Sequence, residues 1–317
     1  MSKIIVVTGA SGYIGGQTAL QLKDAGHTVI GIDRQPLPRH LEGVMSFLQA
    51  DFDSDVAKKL LLTHCPDAII HCAGTSLVGP SMTQPGEYYK NNVVKTVHLL
   101  DFILQVMPKT KFIFSSSAAT YGDPIMTPCH EVDPTEPISP YGESKLMVEW
   151  ILRGYHKAYG LNYVAFRYFN ACGADSQARH GQSPGATHII ARVLEAIRDG
   201  REFVLNGEDY PTVDGTCVRD YVHVADIVAS HIRAIDPEIA GGVYNLGTQT
   251  GISNREIISA AEEITGRKLS VTLGARRDGD PAMLTATPTK WYDAGGNQPK
   301  YTLQDMITHA WTWYNKK

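Results

Sequence analysis

The stretch KIIVVTGASGYIGG, residues 3–16, opens with an apolar, β-branched run that shows no polar alternation. Such a run reads as a strand buried on both faces. Gly9, Gly12 and Gly15 follow in a G-x-x-G-x-x-G pattern that opens a helix running to about Ala25. Glycines at such a turn let backbone N–H groups approach a pyrophosphate at the positive end of the helix. The triplet alone is a weak signal, but its place between strand and helix makes it specific. Gly26 reads as the stop of that helix.

Outward from this unit the same rhythm repeats. Strands are predicted at 27–33 (HTVIGID), 44–51, 67–74 (DAIIHCAG), 111–117 (KFIFSSS) and 162–170 (NYVAFRYFN). Helices are predicted near 54–64, over 85–107 and from Tyr141. Alternating strands and helices imply right-handed crossovers and a parallel sheet, so the fold class is α/β, a doubly wound Rossmann domain. After Asn170 the elements shorten and the loops fill with Gly, Pro and Asp. Residues 1–170 are read as a dinucleotide-binding domain and 171–317 as a smaller α/β substrate lobe, with segments near 219–247 crossing back to the large sheet.

Asp33 ends the second strand, 18 residues after Gly15. A carboxylate there accepts hydrogen bonds from ribose hydroxyls and repels a 2′-phosphate. Arg34 beside it argues towards NADP; the carboxylate weighs more, and NAD is expected. Asp51, after the third strand, is either a contact on the adenine side or an ordinary turn residue. Tyr141 and Lys145, four apart after Pro140, share one helix face. The ammonium is expected to lower the phenol towards the working range and to hold ribose hydroxyls. Ser117, just past the fifth strand, supplies a hydroxyl at the carboxyl edge of the sheet. A YxxxK pair is common by chance; the strands and the serine around it favour the catalytic reading.

Composition narrows the partners. The 317 residues carry a formal net charge of -4, 43% hydrophobic and 20% charged residues. Neither nucleic acid nor an anionic membrane surface is implied. Five scattered cysteines and twelve histidines show no metal-ligand spacing, so no metal is expected and the thiols are read as reduced. No apolar run is long enough for a membrane span, and a soluble cytoplasmic protein is expected.

The motifs TGASGYIGG, NNV (91–93), FSSSAATYG, SPYGESKLMVE, RYFNACGA, DYPTVDGTCVRDYVHVADI (209–227), YNLGT (244–248) and RRDGDPA (276–282) run through the whole chain. With them the sequence resembles the extended short-chain dehydrogenase/reductases, and among these the UDP-galactose (UDP-glucose) 4-epimerases. The resemblance implies that Gly9, Gly12, Tyr13, Ile14 and Gly15 meet the pyrophosphate. It places Asp33 on the ribose, Asp51 and Phe52 by the adenine, Ala73 and Gly74 along the cofactor, and Asn92 near it. Tyr168 and Phe169 flank the nicotinamide. Asn170, Arg219, Arg277 and Asp280 hold the UDP moiety, and arginine's fork suits diphosphate oxygens. His223 is read as structural. A homodimer through the helices at 85–107 and 141–159 is a further implication.

Three positions depart from the common pattern. Ser76 stands for a cofactor-touching lysine, and ATHII (186–190) for Asn-Asn-Leu. Leu284 stands where some members carry tyrosine, leaving room for an N-acetyl group on the sugar. The implied activity is NAD-dependent epimerisation at C4, with UDP-N-acetylhexosamines or UDP-pentoses (arabinose, xylose) as alternative substrates. A 4,6-dehydratase would need an Asp-Glu pair where Ala118-Ala119 stand. A non-catalytic NAD-sensing regulator commonly lacks the Tyr/Lys pair kept here. A plain alcohol dehydrogenase would release NADH.

Overall fold

The computed structural model describes residues 2–276 and 281–316. Its strands, in chain order, are β1 (Ile4–Thr8), β2 (Thr28–Asp33), β3 (Ser46–Gln49), β4 (Ala68–His71), β5 (Lys111–Ser117), β6 (Tyr163–Tyr168) and β7 (Asn170–Cys172). They continue with β8 (Phe203–Asn206), β9 (Val218–His223), β10 (Gly242–Leu246), β11 (Gly251–Ser253), β12 (Val271–Gly274) and β13 (Met283–Leu284). The large sheet is parallel, in the order β10-β6-β5-β4-β1-β2-β3. The direction of winding reverses between β1 and β4. Open sheets of this kind bind ligands outside the carboxyl ends of the strands at that point.

Both faces of the sheet are covered. Ile5, Val7, Ile70, Ile113 and Phe166 pack on one side; Val6, Ile69, Phe112, Phe114 and Val148 pack on the other. This explains why β1 reads as an unbroken apolar run. A separate core of Val193, Leu194, Leu205, Ile257, Ala261 and Ile307 forms among the elements that follow β6. There β8 pairs with β12, and β9 pairs with β7, β11 and β13.

Two expected elements differ. The helix predicted over 85–107 is three pieces: Pro85–Tyr88, a π-helical turn at Tyr89–Val94, and Lys95–Val106. The π turn inserts an extra residue, and consecutive Asn91 and Asn92 are both buried. Such bulges recur at functional sites. The strand predicted at 162–170 is also divided. β6 stays in the large sheet and β7, after Phe169, joins β9 in the smaller one. A continuous apolar run carries no mark of a change of sheet.

Candidate active site

A cleft of about 1810 Å³ opens across the carboxyl ends of the strands. That exceeds the usual range for a single small-molecule site, roughly 300–1,000 Å³, and suits two ligands end to end.

One end is the phosphate loop. Gly9 has φ +72°, and a Cβ on it would lie 2.7 Å from the Ala73 nitrogen. A Cβ on Gly15 would lie 2.0 Å from the Gly9 carbonyl oxygen. Only glycine allows this turn to close. The helix Tyr13–Asp24 starts at Gly12 with no side-chain cap, which leaves its first amides for an anion. Tyr13 and Ile14 line the cleft, and the Tyr13 hydroxyl donates to the Gly173 carbonyl at 2.7 Å. Asp33 accepts from the Ser11 and Gln35 amides at 3.0 and 2.9 Å. A carboxylate fixed this way suits ribose hydroxyl donors and opposes a 2′-phosphate, so the residues present fit NAD. Arg34 is exposed at the rim. Asp51 is ion-paired with Lys95, and Phe52 sits edge-on to His71 at 4.7 Å. Both line the cleft, as do Ala73 and Gly74.

Tyr141 and Ser117 line the middle of the cleft; Lys145, the third expected catalytic group, is buried behind them at 5% exposure and does not line it. Ser139 caps the helix Pro140–Tyr159, Pro140 occupies its first position, and Gly160 (φ 74°) ends it. This helix carries Tyr141 and Lys145. Lys145 Nζ is 5.8 Å from the centroid of the Tyr141 ring and donates to the Ser115 carbonyl at 2.8 Å. Ser117, at the end of β5, accepts from the Ala119 amide at 3.1 Å. Burial lowers Lys145 to about 8. Burial also raises the Tyr141 phenol, against a hydrogen bond with Ser117 that lowers it. The protein alone therefore does not bring the phenol down as the sequence suggests: desolvation dominates.

Tyr168 and Phe169 line the same region. Asn92 does not line it. Its side chain accepts from the Thr75 amide at 2.7 Å and donates to Ser144 Oγ at 3.0 Å, tying the loop after β4 to the helix that carries Tyr141 and Lys145. Asn91 lines the cleft instead and was missed by sequence reasoning. A repeated Asn inside a helical pattern was the available signal.

At the far end, Asn170 on β7, Arg219 on β9 and Leu284 on β13 line the cleft; Leu284 is in register with Arg219, and Asn170 with Tyr221 two residues along. Arg219 is 8% exposed and donates to the Val218 carbonyl at 2.8 Å. Arg277 and Asp280 lie outside the described residues. Ser76 lines the cleft. Arg192, also unforeseen, lines it with its guanidinium 5.2 Å over the Phe203 ring. His223 accepts from the Ala225 amide at 3.0 Å and caps a helix.

Residues 5–247 match the NAD dependent epimerase/dehydratase family. The chain is 42% identical to the UDP-glucose 4-epimerase of Halalkalibacterium halodurans over 98% of its own length and 96% of the relative's. The structure of UDP-glucose 4-epimerase from Brucella ovis in complex with NAD is 37% identical and superposes with a TM-score of 0.93, covering 98% of each chain. That of the Stenotrophomonas maltophila enzyme, with bound NAD and formylated UDP-arabinopyranose, is 31% identical with a TM-score of 0.93. It covers 98% of this chain and 97% of that one.

Proposed function

The chain belongs to the NAD dependent epimerase/dehydratase family, and from that premise we propose that it interconverts UDP-galactose and UDP-glucose by inverting C4 of the sugar. The observation that carries the reading is one cleft joining the phosphate loop, Tyr141, Ser117 and Arg219, with the Lys145 ammonium 5.8 Å from the Tyr141 ring. Gly9, Gly12, Tyr13, Ile14, Gly15 and Asp33 would hold NAD, which when bound would supply a hydride acceptor beside C4 of the sugar. Tyr141 Oη takes the 4-hydroxyl proton and gives it back. Lys145 holds a positive charge beside it and Ser117 orients the hydroxyl. Asn170 and Arg219 hold the UDP moiety while the 4-keto sugar turns over, so nucleotide binding energy retains the intermediate. Residues 1–170 serve mainly the cofactor and 171–317 the UDP-sugar.

The lysine sets a pH dependence. Burial puts its folded value near 8, below the usual 10.5. The ammonium is present below that pH and lost above it. The kcat is expected to fall as pH rises through about 8, and a pH–rate profile flat to pH 10 would remove Lys145's assigned role.

Leu284 leaves more room than a tyrosine beside the substrate end. The wild type is expected to turn over UDP-N-acetylglucosamine, and Leu284→Tyr to lower that activity about ten-fold or more relative to UDP-glucose. Equal ratios in both enzymes would dismiss Leu284 as a determinant of specificity.

A homodimer is the proposed assembly. Val94, Trp150 and Tyr159 are exposed on the helical faces at 89–106 and 140–159, an apolar set that a second copy would cover. Sedimentation showing only monomer would overturn it. Galactose metabolism in the cytoplasm is the proposed setting. Among the described residues no helix is long and apolar enough to cross a membrane.

A further inference from the structure

A buried polar chain runs from the phosphate-loop helix to the acceptor of the catalytic lysine. Thr18 donates its only hydroxyl proton to the Ile14 carbonyl at 2.8 Å. Its oxygen lies 3.3 Å from His231 Nδ1. His231 Nε2 is hydrogen-bonded to the Tyr168 hydroxyl, which is 2.9 Å from Ser115 Oγ. The Ser115 carbonyl accepts Lys145 Nζ at 2.8 Å. Thr18 and His231 are both 0% exposed.

Both imidazole nitrogens are engaged in buried hydrogen bonds, Nδ1 with Thr18 and Nε2 with Tyr168, whose hydroxyl donates to Ser115 Oγ. Burial drives His231 down to about 3, so the imidazole is a neutral bridge.

We propose that His231 is a positioning residue for hydride transfer: it holds Tyr168 and the Ser115 segment so that Lys145 and the cleft floor keep register with the phosphate-loop helix. The reaction named here rests on the epimerase reading; the bridge itself does not. An ordinary buried histidine would be satisfied by neighbours of no consequence. This one ends, through Tyr168 and Ser115, on the residue that holds the ammonium. The titratable groups facing that ammonium are Tyr141 on its own helix and Cys72 and His71 at the end of β4.

The test is a comparison of His231→Leu, His231→Gln and Thr18→Val, each purified with its cofactor. His231→Leu is expected to lower kcat for UDP-galactose about ten-fold or more, with KM within about two-fold, since small misplacements at a reacting centre are costly. The fall of kcat at alkaline pH should begin earlier, because a displaced Ser115 segment moves the carbonyl that favours the charged form of Lys145. His231→Gln, which both donates and accepts, should restore most of the rate. Thr18→Val, which removes only the far end, should show the same acid-ward displacement in milder form.

Independently of activity, ¹⁵N-histidine NMR of the wild type should show one imidazole that stays neutral in a single tautomer from about pH 5.5 to 8.5, its signal absent from the leucine variant. Unchanged kcat and pH profiles with only a lower Tm would overturn the proposal, as would an imidazole that titrates normally. If the leucine variant does not fold, Thr18→Val and the NMR decide. A wild type without epimerase activity would sink the functional reading, while the NMR would still decide the bridge.

Discussion

Tyr141→Phe is expected to lower kcat by about 10²–10⁴-fold, the usual contribution of a positioned acid–base group. NAD and UDP should still bind, because neither the phosphate loop nor Arg219 depends on this hydroxyl. The ring remains: its edge contact with Tyr88, at 6.4 Å, and the Lys145 ammonium 5.8 Å away do not need the oxygen. A loss confined to kcat at unchanged KM marks an interaction made only in the transition state. Burial raises this phenol, and the hydrogen bond with Ser117 works against that rise. A Tyr141→Phe enzyme with more than about a tenth of wild-type kcat would contradict the role.

The second large effect concerns stability. Glu149, 3% exposed on the catalytic-pair helix, accepts two bonds from Arg167 of β6, at 3.0 and 2.6 Å. Ser116 Oγ donates to the same carboxylate at 2.5 Å, and the Tyr121 ring lies 4.7 Å below the guanidinium. Replacing such a pair by apolar residues is often tolerated, but removing one partner strands a buried charge. Glu149→Ala is therefore expected to cost about 3–5 kcal/mol in denaturant unfolding. Glu149→Gln keeps the shape and part of the bonding, and should cost less. A Glu149→Ala change below about 1 kcal/mol, the range of an exposed pair, would show that the guanidinium finds water instead.

What was legible in the sequence was local. The strand, glycine turn and helix of residues 3–25, the carboxylate at Asp33 and the i, i+4 pair Tyr141–Lys145 each depend on neighbours in the chain. The misses depend on distant partners. Nothing local tells that His71 will lie 2.8 Å from Thr8, or that Glu149 will meet Arg167. The π turn at 89–94 breaks a helical period by one residue, too little to register against an otherwise regular pattern. It explains why Asn91 rather than Asn92 faces the cleft. Asn92, expected near the cofactor, spends its amide on Thr75 and Ser144. The seventh strand of the large sheet, β10, lies within the segments near 219–247 expected to cross back to that sheet; its register beside β6 needs the three-dimensional pairing.

The most direct measurement is to incubate the purified protein with UDP-galactose, without added cofactor, and follow the sugar by NMR. Conversion to UDP-glucose until the two stand at equilibrium, with no NADH accumulating in solution, is the predicted result. It would mean that the cleft retains its NAD and completes both hydride transfers. No conversion, even after NAD is added, would contradict the account.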